Sequence, residues 1–497
     1  MTSAMVEQPS DDVPLRALGS PSQPSGSPDY TARVGYGFMA GVYLGINAIR
    51  DLYLLVEGPD CAYMKTQFVQ GNHDWLSTLT SVSGVHRVAN TALHPDVIAT
   101  GRELIVQNKL EQMARHAVVP AVALTSMPVA AVTAVDYDRL CREVSEKTGK
   151  PVFSVPGKSL SGDWLDGYAE LLLGLAEAVP LPNPQPNPKR VAIVGHLFER
   201  NEGDQTANIR ELQRLVEGLG FELVSVWPCG QSFAELSHIR SAGMIISLPY
   251  GRKAAQKLAK RLVIPCHELP LPFGLPATEA FVQELGRISG LVDVARTFID
   301  HELSRIVPKL EWIVPFLFLG RSFGFIGEPH VVSGLVSFAE TLGMKCRFLV
   351  ITNRPHHTAS APLPKNCETL IYPKLKTFSA FLQSFMQHKG GIDLLITNNE
   401  GLSFYEHTAV LGLGFPSPFH HALYERPTLG FDGALALADS MSNLLRQQEL
   451  VEIARRYQSN HAARKANHDL QKTRLDRAAT FDDMQLPLSD VPVGGTR

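Results

Sequence analysis

The chain has 497 residues, 44% hydrophobic and 19% charged, with a formal net charge of -3. That length exceeds what one core can organise and fits about three domains, and the near-neutral balance supplies no global basic field for nucleic acid. The six cysteines contain no CxxC and are spaced by about twenty residues or more, which excludes a disulfide framework and reads as reduced thiols of a cytoplasmic protein.

In chain order, residues 1–32 are acidic and then rich in Pro, Ser and Gly. They lack the basic start and apolar run of a signal peptide and are expected to be disordered. No apolar run reaches the ~18 residues of a membrane span. From 33 to 178, "LYLLVEG", "AVVPAVALTSM" and "PVFSVP" read as strands, and "YDRLCREVSEKTG" and "GDWLDGYAELLLGLAEAV" as helices. The stretch 179–190, "VPLPNPQPNPKR", carries five prolines and is expected to be a semi-rigid linker.

Residues 191–310 resume the alternation: "RVAIVG" as strand, "QTANIRELQRLVEGLG" as helix, "FELVSVW" as strand, "QSFAELSHIRSAG" as helix, "MIISLP" as strand and "RKAAQKLAKRLV" as helix. Residues 311–454 repeat it from "SFGFIG" through "HVVSGLVSFAETLG", "KCRFLVITN", "FSAFLQSFMQHKG" and "IDLLITN" to "EGLSFYEHTAVLGLG". The expected fold class is therefore α/β, with three tandem Rossmann-like, doubly wound domains on mostly parallel sheets. The tail, 455–497, is basic and reads as a solvated helix. Ligands of such sheets bind beyond the carboxyl ends of the strands, which directs attention to the loop holding Cys61, to "VPGKSLSGD" and to "FPSPFHHALYERP".

Neither nucleotide motif is complete. "VFSVPGKS" ends like a phosphate loop, but its first glycine falls on Val152, and no GxGxxG follows a strand. Cys61, in "LYLLVEGPDCAYMKTQFVQGNHDW", admits three readings: a small buried hydrophobe, a nucleophile with His73, His86 or His94 as base, or one ligand of a shared metal centre. In "GHLFERNEGD", Asp204 is placed to cap the next helix, with Asn208 and Glu211 further along it.

Together these loops resemble the nitrogenase component-1 superfamily, which includes protochlorophyllide and chlorophyllide reductases and cofactor scaffolds. "DLYLLVEGPDC" resembles the family strand that ends in a cluster-binding cysteine. "VAIVGHLFERNEGDQTANIRELQRLVEGLGFEL" is similar to the opening of its second domain, and "IDLLITNNEG" with "LGLGFPSP" to its third. "GFDGALALADSMSNLL" looks like its closing helix, in the α-subunit form.

The departures from that pattern matter as much. The family's other cluster cysteines fall near Gly35 or Tyr36 and at Met127, its cofactor cysteine near Ser247, and the glutamine and first histidine of its active-site stretch on Lys158 and Gly162. Only Cys61 and the cofactor-type histidine, His420, are present. The resemblance thus implies a [4Fe–4S] iron–sulfur cluster shared at a subunit interface and argues against dinitrogen as substrate. It leaves His420 open as ligand of a further metallocluster, contact to an organic substrate or plain loop residue.

It implies a catalytic-component subunit that is a homodimer or a heterotetramer with a related subunit. Electrons come from an ATP-hydrolysing iron–sulfur reductase protein, and neither nucleic acid nor membrane is a partner. The rival readings are a non-catalytic scaffold for cofactor assembly and a metal-free binding paralogue. Auxiliary ligands or proton donors are sought at His73, Asp74, His94 and Asp96. Catalytic roles fall to His420 and Lys158, and an anionic substrate is assigned to Lys158 and Arg426.

Overall fold

The computed structural model describes residues 32–59, 86–94, 101–198, 202–361, 363–388, 391–398, 408–415 and 424–482. The α/β fold class expected from the sequence is the one observed. Three sheets follow one another along the chain, and every strand pairing within them is parallel.

The first sheet has the order β2-β1-β3-β4, with β1 Leu52–Glu57, β2 Val88–Asn90, β3 Ala121–Ser126 and β4 Val152–Val155. Its central strands β1 and β3 are buried at every position. Helices cover both faces of such a sheet, which is why these strands read as unbroken apolar runs rather than as alternation. Helices α1 (Phe38–Asn47), α2 (Glu103–Arg115), α3 (Tyr137–Thr148) and α4 (Trp164–Ala178) belong to this region.

Helices α1 and α4 cross at unusually small residues. A Cβ on Gly41 would lie 1.7 Å from the Trp164 carbonyl oxygen, and one on Gly167 would lie 1.9 Å from that of Phe38. The two backbones touch, and glycine is the only residue that permits it. Asp163 starts α4 with a capping box: its carboxylate accepts from the Leu165 and Asp166 amides, and the Asp166 side chain accepts from the Asp163 amide.

The second sheet runs β6-β5-β7-β8, with β5 Asn187–Val194, β6 Glu222–Trp227, β7 Ala242–Ser247 and β8 Cys266–Glu268. Strand β5 begins inside the proline-rich stretch, and the pairing with β7 shifts register between Asn187 and Val191. Proline is tolerated at the first residues of a strand and at such irregularities, so the linker's last four residues are already sheet. The helix expected over "QSFAELSHIRSAG" is only a short 3-10 segment, Glu235–Ser241.

Helix α5 (Glu202–Glu217) starts two residues before Asp204, so that residue lies inside the helix and is not its cap. Helices α6 (Arg252–Leu262), α7 (Leu275–Ser289) and α8 (Val292–Glu311) follow.

The third sheet, β11-β10-β9-β12-β13, comprises β9 Ser322–Gly327, β10 Lys345–Ile351, β11 Glu368–Ile371, β12 Leu394–Thr397 and β13 Ala409–Gly412, with helices α9 (Val332–Thr341) and α10 (Leu375–His388). Part of "EGLSFYEHTAVLGLG", read as a helix, is strand β13; the preceding residues 399–407 lie outside the described residues. Helix α11 (Gly430–Asp482) ends the described chain. Its start is held by α5. Asn208 Oδ1 accepts from the Thr428 and Leu429 amides at 2.7 and 3.0 Å, and Glu211 Oε1 accepts from the Asp432 amide at 3.0 Å.

The chain divides into two compact units, Met1–Ser442 and Asn443–Arg497. The three sheets belong to the first. The described part of the second is helical and exposed over 450–462. No helix among the described residues is long and apolar enough to cross a membrane.

Candidate functional site between the strand ends

In each sheet the chain order reverses beside the first strand, and the crevice beyond the carboxyl ends at that point is where doubly wound folds bind ligands. In the first sheet the crevice lies beyond β1 and β3. Glu57, the last residue of β1, is fully buried and accepts from Arg102 Nε at 3.2 Å, while Arg102 Nη2 donates to the Thr91 carbonyl at 3.3 Å. The Gly58 amide donates to Thr91 Oγ1 at 3.2 Å, and the Met127 amide donates to the Glu57 carbonyl at 2.9 Å. A Cβ on Gly58 would lie 2.7 Å from the Met127 sulfur. The Met127 thioether therefore packs against Gly58, just beyond the end of β1.

In the second and third sheets the corresponding strand ends share a cavity of about 40 Å³ whose lining includes His196, Tyr250, Phe325, Glu328 and Leu413. That is room for a ligand of one or two water-sized groups. His196 follows β5, Tyr250 follows β7, and Glu328 follows β9.

Burial pulls the His196 imidazole down to about 4, against the opposing contact with the Pro228 carbonyl, so the ring is neutral. Its Nδ1 lies 3.1 Å from the Pro228 oxygen and donates to it. Its Nε2 is then a buried acceptor with no partner among the described residues.

Glu328 receives the Tyr250 hydroxyl at 2.6 Å on Oε1 and the His330 amide at 2.6 Å on Oε2. Burial nevertheless dominates these contacts and raises its carboxyl to about 7. The cavity thus holds one acid poised near neutrality and one neutral imidazole acceptor, the residue types that proton transfer requires.

A second polar group adjoins it. The His330 ring is edge-on to Tyr250 at 5.1 Å between centroids and to His357 at 6.3 Å. His330 is neutral, lowered to about 3 by burial and then by the charges of Arg252 and His357. His357 Nε2 lies 3.0 Å from Asp163 Oδ1 and 3.4 Å from Asp166 Oδ2, and His356 Nε2 lies 2.9 Å from Asp166 Oδ1. Burial alone would lower His357, but the hydrogen bonds and charges of both aspartates outweigh it and raise it to about 9. Asp166 is held well below the usual carboxylate range: its burial is overcome by hydrogen bonds from His357, the Asp163 amide and His356.

Of the residues singled out from the sequence, Lys158 follows β4 and pairs with Glu170 at 2.8 Å, a carboxylate that Lys253 also approaches at 3.3 Å. Arg426 is bound to helix α11, donating to the Ala436 carbonyl at 2.9 Å and pairing with Asp439. His94 is exposed in the loop after β2. Ser247, at the end of β7, is buried with its hydroxyl unpartnered among the described residues.

Cys61, His73, Asp74, Asp96 and His420 lie outside the described residues. The five described cysteines are Cys141, Cys229, Cys266, Cys346 and Cys367, none of them at a cluster position. Gly35, Tyr36 and Met127 carry no thiol. Ser247 offers a hydroxyl where the resemblance implies a cofactor thiolate, and a hydroxyl does not fit that role.

His196, Tyr250, Glu328, His330, Asp163, Asp166, His356 and His357 were not foreseen. Most of them directly follow a strand that was, as in "VAIVGH", "FGFIGEPH" and "FLVITNRPHH".

The fold and this site define a chain of three parallel α/β sheets whose polar residues converge at the strand ends. Residues 38–446 match the nitrogenase component 1 type oxidoreductases, and the chain belongs to that family. It is 26% identical over 203 residues to the nitrogenase iron-iron protein beta chain of Rhodobacter capsulatus, covering 39% of this chain and 43% of that one. It is 22% identical over 326 residues to the molybdenum-iron protein beta chain of Clostridium pasteurianum, covering 60% and 68%. These relatives are beta chains, whereas the closing helix was compared above with the α form. The solved structure "Nitrogenase Cp1 at pH 6.5" superposes with a TM-score of 0.67 at 16% identity over 87% of this chain and 97% of that one, a likeness of fold.

Proposed function

We propose that the chain is a catalytic-component subunit of a nitrogenase-like reductase that acts on a substrate other than dinitrogen. It assembles with a related subunit in the cytoplasm and receives low-potential electrons from an ATP-hydrolysing iron–sulfur protein. The observation that carries this reading is the family match over residues 38–446. Cys61 contributes one thiolate to a [4Fe–4S] cluster at the subunit boundary, and the other ligands come from the partner. When bound, that cluster supplies one-electron transfer at low potential.

This chain's own residues handle protons and exclude water. The buried Glu328 carboxyl holds a proton near neutral pH, Tyr250 fixes its orientation, and the neutral His196 Nε2 accepts a hydrogen bond from whatever enters the cavity. Ser247 in place of a thiolate, and Lys158 and Gly162 in the active-site stretch, support a substrate other than dinitrogen.

The test is anaerobic mixing of the chain and its co-purified subunit with the reductase protein. An EPR signal from a reduced cluster in this component, appearing only with ATP, is the expected result. ATP-independent reduction, or no reducible centre in the intact complex, overturns the reading.

A further inference from the structure

The side chains of His356, His357 and Asp166 form a second site, one that the reductase reading does not use. Both histidines lie in the 3-10 segment Pro355–Ser360 after β10, and Asp166 lies in the first turn of α4. One ligand atom from each of the three falls within 4.8 Å of the others. His356 Nε2 lies 2.9 Å from Asp166 Oδ1, and His357 Nε2 lies 3.4 Å from Asp166 Oδ2. A four-coordinate ion with bonds of about 2.1 Å needs its ligand atoms about 3.4 Å apart. We propose that His356 Nε2, His357 Nε2 and the Asp166 carboxylate bind a divalent transition-metal ion of the zinc class.

The scaffold is already positioned for this. Asp166 is fixed by the capping box, its Oδ2 accepting from the Asp163 amide at 2.9 Å. The histidine-bearing turn is tied down where the Arg354 amide donates to Asp163 Oδ2 at 2.7 Å and Arg354 Nη2 donates to the Leu160 carbonyl at 2.9 Å. The two rings sit 4.0 Å apart between centroids, so both Nε2 atoms face the same carboxylate with little rearrangement. The His356 side chain is 54% exposed, which gives an ion a path in and leaves a coordination position for water, while the His357 side chain is only 13% exposed and anchors the inner side.

Two imidazoles and one carboxylate suit zinc, cobalt, nickel or ferrous ions rather than magnesium or calcium, which prefer all-oxygen shells. In the metal-free chain Asp163, the cap of α4, holds this same His357 Nε2 at 3.0 Å, and a bound ion would displace that contact.

Cobalt(II) titration of the full-length protein, purified without oxygen, tests the site through visible d–d absorption. One cobalt per chain is expected, with no thiolate charge-transfer band. His356→Ala, His357→Ala and Asp166→Asn should each weaken binding at least about tenfold, while His301→Ala on the surface and Cys61→Ala leave it unchanged. Zinc should raise the melting temperature of wild type and of His301→Ala but not of His356→Ala, a reading that separates lost binding from lost folding. Absence of cobalt binding in folded wild-type protein overturns the proposal. A thiolate band that disappears with Cys61, or cobalt binding unaffected by all three substitutions, overturns it equally.

Discussion

His357 and Asp163 join two sheets. The imidazole follows β10 of the third sheet, and its Nε2 lies 3.0 Å from Oδ1 of the carboxylate that caps the last helix of the first sheet's region, α4. The Arg354 amide donates to the other oxygen of Asp163, so one buried carboxylate closes a helix and a loop together. Asp163→Ala removes the cap and strands both donors. A loss of about 2–4 kcal/mol is expected, read as a lowered melting temperature in metal-free buffer. Asp163→Asn, which keeps the capping oxygen, should lose less than half of that.

The crossing of α1 and α4 predicts a sharper effect. Alanine at Gly41 or Gly167 drives a methyl group into a backbone carbonyl. Each substitution should cost about 3 kcal/mol or more, at the top of the range for overpacking. Gly37, whose added Cβ would meet nothing within 4 Å, provides the control. Gly37→Ala should melt within a degree or two of wild type. Equal melting of all three variants would contradict the packing.

Glu57 and Arg102 form a buried ion pair at the end of β1. Removing one partner leaves an uncompensated charge, so Arg102→Ala should destabilise by about 3–5 kcal/mol. The double variant Glu57→Gln/Arg102→Met should recover most of that loss. Chemical denaturation of the three proteins measures both numbers.

The pH dependence follows from Glu328. Its carboxyl titrates near 7 in the folded chain and at its ordinary value near 4.5 when unfolded. Between those values the folded state keeps a proton that the unfolded state has released, so this group's contribution to stability falls as pH rises from 4.5 to 7. Glu328→Gln cannot ionise. Its melting temperature relative to wild type should therefore climb from pH 5 to pH 8, by the equivalent of about 1–3 kcal/mol. A flat difference would mean that the carboxyl is ionised throughout.

His196 acts with the opposite sign: its folded value near 4 lies below its ordinary 6.5. It costs stability as pH falls through that interval, because the unfolded chain takes up the proton first.

Much of the fold was legible in the sequence because parallel sheets write themselves plainly. The runs "LYLLVE" and "AVALTS" are buried at every position, and the helices between strands carry the 3.6-residue period. The start of β5 was not legible, because proline inside a strand is exceptional and Pro188 reads as linker. Asp204 was misplaced because an aspartate within the first turn of a helix looks, in sequence, like its cap.

At the site, the sequence pointed to the loops of Cys61, "VPGKSLSGD" and "FPSPFHHALYERP", whereas the polar cavity lies beyond β5, β7 and β9, because familiar spacings were favoured over simple adjacency. Glu328 sits one residue past β9 and was passed over, while Lys158 was singled out and is committed to Glu170. Which carboxylate acquires a raised pKa depends on burial, and burial at a domain junction is a tertiary property that no local pattern carries.

Cys61 is proposed to bring this chain to an iron–sulfur cluster shared with a partner subunit. The most direct test is iron and sulfide analysis with EPR on the anaerobically purified complex, wild type against Cys61→Ala. About four irons per interface are expected in wild type, and their loss, with the EPR signal, in the folded variant. A folded wild-type complex free of iron, or iron and signal retained in Cys61→Ala, would contradict it.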